Sequence, residues 1–200
     1  GSSVGAVTSY NFENVTAAHT ISATFAINSY NISTLSGDGG SITPSGVTTL
    51  NHGGSQSYAI TASEGYHIAD VLVDENSVGA VSTYEFTNVT ANHTISVTFA
   101  INVYNITATA SEGGSITPSG TVTVNHGSNQ VFTMAPNGEY FIEDVLVDGV
   151  SVGTVTNYEF TNVTGNRTIA VSFTQSVHTV TATAGENGSI SPVGDTTVVH

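Results

Sequence analysis

The sequence predicts an all-β protein made of tandem small β-sandwich repeats of 74 residues, stacked end to end. Three observations carry that prediction. Short segments alternate apolar and polar at period two, as in "YNITATA" (104–110), the pattern of a half-buried strand. No segment sets apolar residues at i, i+3, i+4 and i+7 over ten or more positions, so the helical pattern is missing. The same phrases also return at a fixed step. "SVGAV" begins at Ser3 and Ser77 and "SVGTV" at Ser151, while "GGSITPSG" starts at Gly39 and Gly113. Self-similarity at a fixed period is the mark of a repeat architecture.

Aligned without gaps, residues 30–103 and 104–177 are identical at about 40 of 74 positions. They are read as two complete repeats. Residues 1–29 are the C-terminal part of a repeat, and residues 178–200 the N-terminal part of another. Joined together, these two fragments still lack about 22 positions between the counterparts of His126 and Gly149. They are therefore expected to be a window on a longer polypeptide. The alternative is a polymer in which adjacent subunits complete each other's partial sheets.

Within residues 104–177 the first strand is "YNITATA". "GSITP" and "TVTVN" flank Pro118-Ser119-Gly120, a turn signal that predicts a hairpin between them. "QVFTMAP" (130–136) is the next strand. "YFIEDVLVDGVSVG" (140–153) holds Asp148-Gly149 between apolar runs, the strongest short hairpin signature. "NYEFTNV" and "RTIAVSF" close the repeat across a Thr-Gly-Asn-Arg turn, which makes six or seven strands at spacings typical of a sandwich or small barrel. The inward face should include Ile106, Ile116, Phe132, Ile142, Val145, Val147, Tyr158, Phe160, Ile169, Val171 and Phe173. The junction "FAINVYNIT" (99–107) has no proline, glycine or polar linker, so it reads as a stiff joint.

Composition excludes several functions. Charged residues make up 8% of the chain, against roughly 25% in an average globular protein. Lysine is absent, Arg167 is the one arginine, and the net charge is −14. Nucleic-acid binding rests on Lys/Arg clusters, so it is excluded, and the same deficit argues against anionic lipid. Thr, Ser, Asn and Gly supply solubility, as in secreted and surface proteins. There is no cysteine for a disulfide framework or thiolate chemistry. No apolar run reaches the 18 or more residues of a membrane helix, so no membrane insertion is expected in this segment. "GSSVGAV" reads as repeat sequence, and any export signal is expected outside the window.

"GGSITPSGTVTVNHGSNQVF", the "Y-x-I-x-D-V-L-V-D" stretch and "YEFTNVTANHTISVTFA" resemble the bacterial repeat domain that occurs in tandem in large surface proteins. That family is a divergent relative of the B-repeats of listerial internalins. The resemblance covers essentially the whole chain. It implies an extracellular, all-β or β-grasp-like module of adhesins, secreted enzymes and cell-surface fibres, without catalytic residues. A β-grasp form would need a helix across its sheet, and the sequence offers none.

The search for chemistry returns little. No G-x-S-x-G elbow, H-E-x-x-H motif or EF-hand loop is present. His67 and Asp70 stand at odd spacing on one strand, on opposite faces, and Phe141 replaces His67 in the next repeat. No enzyme is expected. Asp70 and Asp74, like Asp144 and Asp148, read as sharing a strand face, but residues i and i+4 on a strand lie roughly 13 Å apart. That is too far for one calcium ion, whose ligands stand at about 2.3–2.6 Å. These four acids are weak metal candidates and read first as hairpin carboxylates that keep an edge soluble. No cofactor is expected, calcium at repeat junctions being the one exception considered. His52, His126 and His200 recur in an "NH(G)" context and read as turn residues, with a ligand or pH-sensitive contact as the alternative. Asn14, Asn31, Asn88, Asn92, Asn105, Asn162, Asn166 and Asn187 are N-x-S/T sequons and candidate glycosylation sites. Their bland reading is turn-forming Asn beside β-favouring Thr. The Thr alternations are too short and broken for an ice- or polysaccharide-binding plane.

The function expected from all this is a structural repeat module of an extracellular prokaryotic surface protein, forming a stiff stalk, fibre or filament. Its partners would be neighbouring repeats of the same chain, self-association along the fibre axis and surface glycans. The alternative is an adhesin or carbohydrate-binding module of a secreted protein. It is disfavoured because Trp is absent and most Tyr fall at core-facing positions.

Overall fold

The computed structural model describes residues 1–199. Among them it is all-β, with no helix. The first eight strands are β1 (Ser29–Ser36), β2 (Gly40–Thr43), β3 (Val47–Asn51), β4 (Gly54–Ala62), β5 (Tyr66–Val73), β6 (Asn76–Gly79), β7 (Thr83–Val89) and β8 (His93–Ile101). They form a five-stranded sheet of order β3-β1-β8-β5-β6 and a three-stranded sheet of order β2-β4-β7. The next eight are β9 (Val103–Ala110), β10 (Gly114–Thr117), β11 (Gly120–Asn125), β12 (Gln130–Pro136), β13 (Tyr140–Val147), β14 (Val150–Gly153), β15 (Asn157–Phe160) and β16 (Arg167–Gln175). Their sheets have orders β11-β9-β16-β13-β14 and β10-β12-β15, the same arrangement again. Pairing is antiparallel except between β1 and β8 and between β9 and β16, which run parallel.

Period-two alternation decides what is buried. In the second body Ile106, Val145 and Ile169 point inward from the large sheet and meet Ile116, Phe132 and Phe160 from the small one. In the first, Ile32, Val71 and Ile95 meet Ile42, Tyr58 and Phe86. Each body is thus a two-layer sandwich around one apolar core, and no polar or charged residue among those described is buried. Fully burying one such Val, Ile or Phe side chain contributes about 1.5–3 kcal/mol.

The structure departs from the sequence reading in several places. The segments around Pro118-Ser119-Gly120 are not a hairpin: β10 pairs with β12 and β11 with β9. The turn passes the chain from the small sheet to the large one, because Ile116 and Val124 must reach the same core from opposite layers. Eight strands form per body rather than six or seven, since the four-residue segments β10 and β14 both pair. Ile142 and Tyr158 are only partly buried at the margin of the core, which also takes in Ala108, Val124, Met134 and Val163. The Asp148-Gly149 hairpin does form, between β13 and β14.

Residues 1–28 contain no strand, although their sequence copies β7 and β8. A β8-type strand lies between a β1-type and a β5-type strand, and these 28 residues hold a counterpart of neither. Phe25 is accordingly 95% exposed, where Phe173 is 8% exposed. At the other end β17 (Val177–Ala182) and β18 (Gly194–Val199) pair as β9 and β11 do.

Candidate functional site: the joint between the two sandwiches

β8 ends at Ile101 and β9 begins at Val103, so Asn102 alone separates them. Both of its main-chain groups are held, each by a different sandwich. Its N–H donates to the carbonyl of Gly65 at 2.8 Å, and its carbonyl accepts from the N–H of His126 at 2.8 Å. Its side-chain Oδ1 lies 2.8 Å from His67 Nδ1, so the imidazole N–H donates to the amide oxygen. Gly65 sits in the turn before β5 with φ of +80°, and a Cβ there would stand 2.4 Å from His126 Cδ2. Glycine is required twice over, by the left-handed backbone and by the ring that rests on it. The His126 ring also packs beside Tyr104, with centroids 6.0 Å apart.

Related contacts appear at the two neighbouring joints. His52 N–H donates to Asn28 O at 2.8 Å, and Ser176 N–H donates to Glu139 O at 2.7 Å. The side chains differ, however. Phe141 stands where His67 does, Ser176 where Asn102 does and Glu139 where Gly65 does. Phe141 remains 60% exposed. Of the recurring histidines, His126 is half-buried in the joint and His52 is exposed, while His200 lies outside the described residues. The sequence drew attention to "FAINVYNIT" as a joint but not to the bonds that Asn102 makes there with Gly65, His67 and His126, because each partner is distant in the chain.

The carboxylates take other work. Asp70 Oδ1 accepts from Val71 N–H and from the Ser77 hydroxyl at 2.8 and 2.7 Å. Asp144 does the same with Val145 and Ser151. Asp74 and Asp148 do not share a strand face with them: they lie in the hairpin turns at φ of 47° and 50°. From there Asp74 Oδ1 accepts Thr94 N–H at 2.8 Å and Oδ2 meets His93 Nδ1 at 2.6 Å. Asp148 likewise accepts Thr168 N–H at 2.8 Å and meets Arg167 Nε at 2.6 Å. Burial would raise the Asp74 carboxyl, but hydrogen bonds from His93 and Thr94 and the His93 charge hold it below its ordinary 3.8. Each turn carboxylate thus pins the hairpin to the start of the central strand. No cluster of three or more metal-ligating side chains occurs among the described residues.

The eight strands β9 to β16, led and followed by the joints just described, are the part of the chain that comparison identifies. Residues 104–177 match the family model of the divergent InlB B-repeat domain. The resemblance carried by the motifs is to this family, which is associated with repeat modules of bacterial surface proteins. No curated protein and no solved structure matches the chain. No helix among the described residues is long and apolar enough to cross a membrane.

In the matched B-repeat and in the sandwich before it, the sequon asparagines have conformational tasks. Asn88 and Asn162 adopt left-handed backbone at φ of 51° and 49°, as do Asn14 and Asn187 at 51° and 66°. Asn tolerates that region better than other side-chain-bearing residues. Asn92 Oδ1 accepts Asn31 N–H at 2.8 Å, and Asn166 Oδ1 accepts Asn105 N–H at 2.9 Å. Asn31 and Asn105 in turn accept from the hydroxyls of Thr49 and Thr123. All eight are exposed.

Proposed function

We propose that this chain is a structural module of an extracellular prokaryotic surface protein, in which β-sandwich repeats of 74 residues stack end to end as a stiff stalk, fibre or filament. Its task is mechanical rather than catalytic: it sets distance and direction. The observation that carries this reading is the Asn102 joint, where one residue links two sandwiches and its N–H and C=O are each bonded to a different one. A flexible linker would leave those groups to water. The membership of residues 104–177 in a surface-repeat family supports the location. The exposed turn sequons at Asn88 and Asn162 are where glycans would sit in such a protein.

Backbone ¹⁵N relaxation of the native chain tests the proposal. Strands β1–β8 and β9–β16 should report one elongated rotational tensor. Gly65→Val, which drives a branched side chain into the His126 ring, should split it into two faster ones. His126→Ala, which removes the ring without strain, should loosen the joint while both cores keep their chemical shifts. Independent tumbling of the two sandwiches in the unmutated chain would overturn the reading.

A further inference from the structure

The one arginine of the chain borders a dent of about 310 Å³, lined by Asn105, Thr107, Asp148, Asn166, Arg167 and Thr168. The dent lies on the solvent side of the parallel β9–β16 pair, where the exposed Asn105, Thr107 and Thr168 alternate with the buried Ile106 and Ile169. Its polar groups are unevenly satisfied. Arg167 Nε meets Asp148 at 2.6 Å, and the guanidinium carbon lies 5.2 Å from the centroid of the Phe160 ring. The two terminal guanidinium nitrogens donate no hydrogen bond to another of the described residues. Asn166 Oδ1 accepts from Asn105 N–H and Asn105 Oδ1 from the Thr123 hydroxyl, so both amide oxygens are engaged, while their NH₂ groups donate to no other described residue.

One planar cation with a free two-nitrogen edge, two amide donors and the Thr107 hydroxyl therefore ring a shallow space. The single carboxylate there is already occupied. Such a set suits an acceptor-rich ligand whose carboxylate can take the guanidinium edge. We propose that this dent binds a carboxylate-bearing sugar such as a uronic acid, with the Arg167 terminal nitrogens on the carboxylate and the Asn105 and Asn166 amides on adjacent hydroxyls. The first sandwich provides an internal comparison. Asn31, Ser33, Asp74, Asn92 and Thr94 occupy the corresponding positions, but His93 replaces the arginine and directs its Nδ1 to Asp74. No fork is left there. The inference is independent of the stalk reading, which rests on the joint.

The Arg167 side chain is 42% exposed and the dent is shallow, so affinity in the millimolar range is expected. The net charge of −14 repels anions, but beyond about 8 Å that repulsion is screened at 0.15 M salt, the condition for the test. The native chain would be titrated with glucuronate, glucose and acetate while amide shifts are followed. Saturable shifts at Asn105, Thr107 and residues 166–168 are expected with glucuronate, weaker ones with acetate and none with glucose, while residues 31–33 and 92–94 stay still. Arg167→His installs the side chain that the first sandwich already accommodates, so it should fold, as a matching thermal midpoint would show. It should weaken glucuronate binding at least tenfold at pH 8. Absence of saturable shifts, an equal response to glucose, or undiminished binding in Arg167→His would overturn the proposal. Acetate binding as tightly as glucuronate would overturn the assignment to a sugar.

Discussion

At position 58 the first core holds a tyrosine that is 1% exposed and whose hydroxyl has no partner, while 74 residues later Phe132 fills the same place without one. An unsatisfied buried hydroxyl costs about 1–3 kcal/mol, so Tyr58→Phe should stabilise the first sandwich by about 1 kcal/mol or more. The urea midpoint of unfolding measures it, and an unchanged or lowered midpoint would mean that the hydroxyl finds a partner. A second position acts through backbone strain. Glu75 follows Asp74 in its turn at φ of 67°, whereas Gly149 takes that place at φ of 80° in the second hairpin. Holding a side-chain-bearing residue there costs roughly 1 kcal/mol, so Glu75→Gly should raise stability and Gly149→Glu lower it by about that amount. Neither effect is visible in the sequence, where Tyr or Phe, and Glu or Gly, fit their patterns equally well.

Between strands, the turn carboxylates make acid sensitivity predictable. The Asp74 carboxyl is depressed in the folded state, so its contribution is present above the ordinary value of 3.8 and disappears as pH falls through the lower folded value. The urea midpoint should therefore fall below pH 4 in the native chain and fall less in Asp74→Asn; parallel curves for the two would refute the role. Strand assignment was largely legible at this scale, because "QVFTMAP" and the Asp148-Gly149 hairpin carry local signals strong enough to stand alone. The Pro118-Ser119-Gly120 turn misled, since such a turn joins two strands equally well within one sheet or across two. The buried alternation of β10 and β11 has the same appearance in either case.

For the molecule as a whole, the scarcity of cations has a plain consequence. Trypsin has one site, after Arg167, at the first residue of the central strand β16. The folded chain should resist digestion and the denatured chain should yield only residues 1–167 and 168–200, as mass spectrometry would show; further fragments would contradict the sequence itself. The joint belongs to this scale too. "FAINVYNIT" holds no proline, glycine or linker-like run, but the groups bonded to Asn102 come from Gly65, His67 and His126, up to 37 residues before and 24 after it. No spacing rule connects them.

What the sequence by itself determined was the all-β character, the step of 74 and most of the core of the second sandwich, because alternation, turn residues and repetition are local properties. Which strands became neighbours, and which main-chain groups close the gap between two sandwiches, was decided only by the tertiary structure. A strand exposes the same hydrogen-bonding edge to any partner, so the choice falls to whichever layer brings its apolar face to a common core.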